Sequence, residues 1–148
     1  MRIIGLDYGE KTIGVAVSDP LGMTAQGLEI IRRQNPIDLK ESFARLGGLL
    51  EEYRCSTVVL GYPLGMDGKE GINCERMLGF KAKLEKRLNV TVILEDERLT
   101  TVSAGRVIAE SGLSGKKRGK VHRQVIDKIA AVYILQTYLD RKNKNFEV

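Results

Sequence analysis

Short apolar runs separated by polar breaks dominate the first third of the chain. Arg2–Asp7 and Thr12–Ser18 both have strand character, and Tyr8-Gly9-Glu10-Lys11 between them supplies a glycine-bearing turn. Asp19-Pro20 breaks the second run, and Ala25–Ile31 is a weaker third strand. These three runs predict an antiparallel meander. The period then changes. Asn35-Pro36 is a helix start, with asparagine as cap and proline in the first turn. Leu39, Phe43, Leu46, Leu50 and Tyr53 follow at helical spacing, weakened by Gly47 and Gly48 unless close packing needs them.

The second half alternates. Thr57–Leu60 is a short apolar strand that leads into the glycine-rich loop Gly61 to Gly71, with Asn73 as a candidate cap. Met77, Phe80, Leu84 and Leu88 mark the next helix, and Val90–Leu94 a strand that ends in the acidic stretch EDER. Thr100 or Thr101 caps a helix to Ser111, ended by Gly112. A basic loop and a last helix from about Val121 to Leu139 complete the order βββ-α-β-α-β-α-α. A meander followed by helix–strand alternation predicts an α/β fold, a mixed sheet with helices on its faces. No repeat, low-complexity segment or linker divides residues 1–148, so one domain is expected.

Composition narrows the class. The chain is 43% hydrophobic and 29% charged, as in globular proteins, and no apolar run approaches a membrane span. Asp7 and Glu10 come too early for a secretory signal. Cys55 and Cys74 form neither a metal-type spacing nor a disulfide framework, which places them as reduced thiols of a cytoplasmic protein. There are 24 basic and 19 acidic residues. Lys116, Lys117, Arg118, Lys120 and Arg123 lie in one acid-free segment, GKKRGKVHR, and without them 19 basic and 19 acidic residues balance. Such a run is either a solvated loop or a contact for nucleic-acid phosphates.

The acids carry the candidate chemistry. Asp7 ends the first strand, Asp96 and Glu97 end the last, and Asp127 lies in the final helix within VIDKIAAVYILQTYL. Ala130, Ala131, Ile134 and Tyr138 share the helical face of Asp127, so this acid heads an apolar stripe whose alanines permit close approach to the sheet. If the first and last strands are neighbours, these acids meet at one end of the sheet. A buried carboxylate needs a partner, and three together need a cation; all-oxygen ligands suit Mg²⁺ or Mn²⁺. Two such ions support phosphodiester hydrolysis. Taken singly, each acid has a structural explanation: Asp19 is a turn former, and Arg98 a partner for a carboxylate of EDER.

Other chemistries lack their motifs. GxxxxGK[ST] and GxGxxG are absent, His122 is the one histidine and sits in the basic run, and aromatics are 5% with no tryptophan.

GLDYGEKTIGVAVSD, VVLGYPLGMDGKEG, EDERLTT and VIDKIAAVYILQTYL span residues 3 to 139. In order and spacing this set resembles the YqgF family, also called RuvX, of the RNase H-like superfamily. The resemblance implies an RNase H-like fold with a five-stranded central sheet. It implies a bacterial cytoplasmic nuclease acting in maturation of the 16S rRNA 5′ end, with Holliday junction resolution on branched DNA as the older assignment. Carried over by motif, the acidic triad is Asp7, an acid of EDER and Asp127. Many relatives in the superfamily place their second acid on the fourth strand, but VVLGYP holds none, so that role passes to the fifth. Glu97 is favoured over Asp96 for its reach and its place in DER. Asp7, Glu97 and Asp127 are thus the expected catalytic and metal-binding residues. Arg98 and the cations Lys116, Lys117, Arg118, Lys120 and Arg123 are the expected phosphate contacts.

Two other classes have a feature in their favour. Asp7-Tyr8-Gly9 to Gly14 looks like the first phosphate hairpin of actin- and Hsp70-type ATP-binding domains, although those need two such lobes. A non-catalytic nucleic-acid-binding module would keep the basic run and use the acids structurally. Monomer and homodimer are both open.

Overall fold

The computed structural model describes residues 2–9, 11–33, 39–62, 70–96 and 120–146, with side chains except at positions 70–74, 96, 120–128 and 145–146. Five strands form one sheet: β1 (Ile3–Tyr8), β2 (Thr12–Ser18), β3 (Ala25–Arg32), β4 (Thr57–Tyr62) and β5 (Thr91–Asp96). Three helices are described: α1 (Lys40–Glu52), α2 (Glu70–Leu88) and α3 (Lys120–Phe146). The strand order is β3-β2-β1-β4-β5. β1, β2 and β3 form the antiparallel meander, and β4 and β5 extend it in parallel with β1.

Strand alternation divides the core between two faces. Ile4, Leu6, Tyr8, Ile13, Val15, Val58, Leu60 and Val92 pack beneath α1 and α2, against Phe43, Leu46, Phe80 and Leu84. Ile3, Ala16 and Val59 pack on the other face against Ala131, Ile134, Leu135 and Leu139 of α3. β4 is apolar on both faces, as a central parallel strand should be.

Several boundaries differ from the sequence reading. α1 starts at Lys40 with Leu39 in the capping position and no side-chain cap, so Asn35-Pro36, outside the described residues, does not cap it. α2 starts at Glu70, which puts Asn73 inside the helix rather than at its cap. α3 runs 27 residues to Phe146, past the expected end at Leu139, and already includes Lys120, so the basic segment runs into the helix. The expected helix ending near Ser111 lies outside the described residues. Asp19 is a turn residue, as expected: its Oδ1 accepts from the amides of Met23 (2.7 Å) and Thr24 (2.9 Å). These bonds, that to Thr24 foremost, hold its carboxyl below the usual carboxylate range.

α3 lies across β1, β2 and β3. A Cβ added at Gly5 would stand 2.7 Å from Leu135 Cβ and 3.3 Å from the Ala131 carbonyl oxygen. The alanine-bearing face therefore does let the helix close in, and a glycine on β1 receives it. Gln136 ties α3 to the start of β3: its Oε1 accepts from Ala25 N (2.8 Å) and its Nε2 donates to Met23 O (2.9 Å).

Candidate active site

Asp7 is held by the ladder on both sides of β1. It pairs with Gly14 of β2, and the neighbouring Leu6 pairs with Leu60 of β4. Its position alternates with Leu6 and Tyr8, which enter the α1/α2 core, so Asp7 belongs to the face covered by α3. It is half-buried there.

β1 and β5 are not neighbours, contrary to the condition stated for the acid cluster. β4 lies between them, in parallel register with both. Two strand spacings put the Cα atoms across this gap roughly 10 Å apart. The three parallel strands all end at one edge of the sheet, at Tyr8, Tyr62 and Asp96. β4, the strand between, contributes no carboxylate.

Glu95, the first acid of EDER, is the one whose surroundings are described. It shares the α3 face with Ile93 and is 3% exposed. Arg141 of α3 clasps it bidentately, Nη1 to Oε1 at 2.7 Å and Nη2 to Oε2 at 2.6 Å. Arg141, 46 residues away, neutralises this carboxylate of EDER, a partner the sequence reading missed, while the expected pairing by Arg98 lies outside the described residues. Alternation back from the core residues Val92 and Leu94 would have singled out Glu95, whereas no local signal marks Arg141.

Asp127 sits on the backbone of α3 one turn before Ala131, whose carbonyl oxygen abuts Gly5, two residues from Asp7. The helix expected to carry the third acid is therefore docked on the strand that carries the first. The side chains of Asp96, Lys120, Arg123 and Asp127 are outside the described set, as are Glu97, Arg98, Lys116, Lys117 and Arg118 altogether. Among the described residues no three His, Cys, Asp or Glu side chains come together as a metal site.

The sequence matches the RuvX family, described as Holliday junction resolvase, over residues 1–141. The chain belongs to this family. Its RuvX relatives include proteins bearing the name "Putative pre-16S rRNA nuclease" from Moorella thermoacetica (50% identical, covering 98% of this chain and 99% of the relative), Clostridium acetobutylicum (49%; 95% and 98%) and Agathobacter rectalis (48%; 95% of each). Among solved structures, Thermus thermophilus RuvC superposes with a TM-score of 0.56 at 18% identity, covering 97% of each chain. The fowlpox virus resolvase, solved with Holliday junction DNA, gives 0.53 at 18%, covering 96% of this chain and 99% of its own. The RuvX chain therefore has the RNase H-like fold and belongs to a nuclease family, as its motifs implied. None of its described helices is long and apolar enough to cross a membrane.

Proposed function

We propose that this protein is a metal-dependent endonuclease that matures the 5′ end of 16S rRNA from its precursor, as a single cytoplasmic domain. The observation that carries the proposal is the placement of Asp7. It lies at the C-terminal edge of the parallel strands, on the face where α3 docks at Gly5. The names of relatives at 46–50% identity over nearly the full chain supply the RNA.

The donor set fits a hard divalent ion. Asp7 is a half-buried carboxylate, and the acids assigned to join it, Glu97 and Asp127, offer oxygen alone, which suits Mg²⁺ or Mn²⁺. On β5 the positions that share the face of Asp7 are the odd ones, such as Ile93 and Glu95, and Asp96 is not among them. The longer glutamate also suits a site that must reach across β4. When bound, such ions activate water and stabilise the leaving oxygen of a phosphodiester. The chain's own part is positional. The ladder fixes Asp7, and Gly5 admits α3 and with it Asp127. The Arg141 clasp on Glu95 anchors the last residues of β5 beside the second acid. Arg98, Lys116, Lys117, Arg118, Lys120 and Arg123 hold backbone phosphates without reading sequence.

A second reading, cleavage of branched DNA, draws on the description of the family and on the fold shared with two resolvases. Likeness below 20% identity carries fold and no substrate, so RNA stands first. The test offers purified protein a pre-16S RNA fragment and a four-way DNA junction, each with Mg²⁺ or Mn²⁺. RNA cleavage should exceed junction cleavage. Asp7→Asn should abolish cleavage and keep RNA binding within a few-fold. Normal cleavage by that variant would falsify the mechanism.

A further inference from the structure

The described side chains of α2 divide its exposed surface into two unlike flanks. Arg76, Lys83 and Arg87 are spaced i, i+7 and i+11, which sets them in one row along the helix. All three are exposed. The acids Glu75 and Glu85 fall on the other side of the helix, where Glu85 pairs with Lys81 at 3.0 Å. Among the described residues no carboxylate pairs with Arg76, Lys83 or Arg87. At 1.5 Å per residue the row extends over roughly 16 Å. A merely solvated helix face mixes both signs, as the Lys81–Glu85 flank does, and this row does not.

Both ends of the row rest on aromatic rings. The Arg76 guanidinium lies 5.1 Å from the centroid of the Tyr8 ring, and that of Arg87 5.2 Å from the Phe43 ring of α1. Phe80 joins these two rings, stacking on Tyr8 at 3.9 Å and on Phe43 at 5.8 Å between centroids. An arginine restrained in this way loses less freedom when it grips a phosphate than a free side chain would. Arg33 approaches the Tyr8 ring too, at 4.6 Å, but it is nine-tenths buried and donates to Tyr8 Oη at 3.0 Å and to the Gly9 carbonyl, so it belongs to the hairpin turn. Gly79 falls between Arg76 and Lys83, three residues past one and four before the other. A Cβ there would meet nothing within 4 Å, so packing does not require this glycine, which weakens the helix relative to alanine. It leaves bare backbone between the cations, where a polymer can lie close.

We infer that Arg76, Lys83 and Arg87 form a phosphate track along α2 for the RNA strand that is cut at Asp7. The inference rests on the nuclease reading and adds to it a second place where the backbone is held, apart from the basic stretch 115–123. Tyr8 follows Asp7 on β1 and enters the opposite face, so the track starts at the sheet edge that carries Asp7. A strand engaged at Asp7 crosses that edge and continues along the row from Arg76 to Arg87.

The test measures how the affinity for a fluorescein-labelled single-stranded RNA depends on salt, in an Asp7→Asn background so that nothing is cut. Lys83→Gln should lower the slope of log K against log salt by about 0.7, one phosphate contact on a single strand, and weaken binding several-fold at fixed salt. Lys142→Gln, which removes the same charge from an exposed site on α3, should change neither. Arg87→Lys keeps the charge and should keep the slope, but without the planar fork over Phe43 it should bind a few-fold more weakly. A Lys83→Gln slope equal to that of the parent, an equal fall in Lys142→Gln, or parent-like affinity in Arg87→Lys would each overturn the track. Asp7-dependent cleavage by the otherwise native chain would then leave the nuclease reading standing. If the parent binds no polynucleotide at all, both fall.

Discussion

Gly5 is the residue on which the approach of α3 depends. The space a Cβ would need is taken by Leu135 Cβ and the Ala131 carbonyl, neither of which is the far end of a flexible side chain. Gly5→Ala should therefore push α3 off β1, at a cost of about 1–3 kcal/mol. A urea titration checks this, and Leu135→Ala should give no rescue, because alanine keeps the Cβ that clashes. Cleavage should fall more than stability alone predicts, since the same helix carries Asp127. Cys55 is a small thiol in the core, with its Sγ 3.6 Å from the Tyr53 carbonyl. Burial pushes its pKa up to about 11 from an ordinary 9.0. The neutral thiol favours the folded state, so its contribution is fully present below pH 9 and is lost as pH rises toward 11. Cys55→Ala should accordingly lose less stability than the native chain between those pH values, and the native thiol should resist iodoacetamide at pH 8 until the protein unfolds.

Among the elements, those defined by an apolar stripe were predictable from sequence and their ends were not. Phe43, Leu46 and Leu50 of α1 and Met77, Phe80 and Leu84 of α2 are buried at the spacing that announced them. Asn73 lies inside α2 although asparagine is a preferred cap, and a glutamate in the first turn suits the helix dipole as well. The last turns of α3 were missed because they carry no apolar stripe. Tertiary hydrogen bonds extend the helix instead, from Arg141 to Glu95 and from Asn143 Nδ2 to Gly22 O at 3.1 Å. Gly47 and Gly48 differ in what they contribute. A Cβ at Gly47 would make an ordinary contact with Leu88 at 3.4 Å, and one at Gly48 would meet nothing within 4 Å. Packing thus gives no reason for the glycine at 48, which is exposed in mid-helix. Gly48→Ala should stabilise the protein by about 0.5–1 kcal/mol, read as a raised urea midpoint with unchanged slope.

At the scale of the molecule, the clasp between Glu95 and Arg141 joins the end of β5 to α3 across the candidate site. Truncating one member leaves a buried charge behind, which costs 3–5 kcal/mol in a fully buried pair. Arg141 is 54% exposed, so water recovers part of that, and Arg141→Ala should cost about 2 kcal/mol by urea unfolding. Arg141→Lys should restore only part of it, because a single ammonium cannot grip both carboxylate oxygens.

Alternation and helical spacing, which depend on nearest neighbours along the chain, were enough to announce the five strands, the meander, the apolar face of α3 and the unusual position of Asp7. Which strand lies beside β1 depends on how crossovers close over a shared core, and only the fold decides that. It placed β4 between β1 and β5, although the apolar run VVLGY already had the character of a central strand. The fold also chose Arg141 for Glu95 and brought Arg33 and Arg76 to one tyrosine. Long-range pairing of charges is settled by burial and geometry, and adjacent residues hold no record of it.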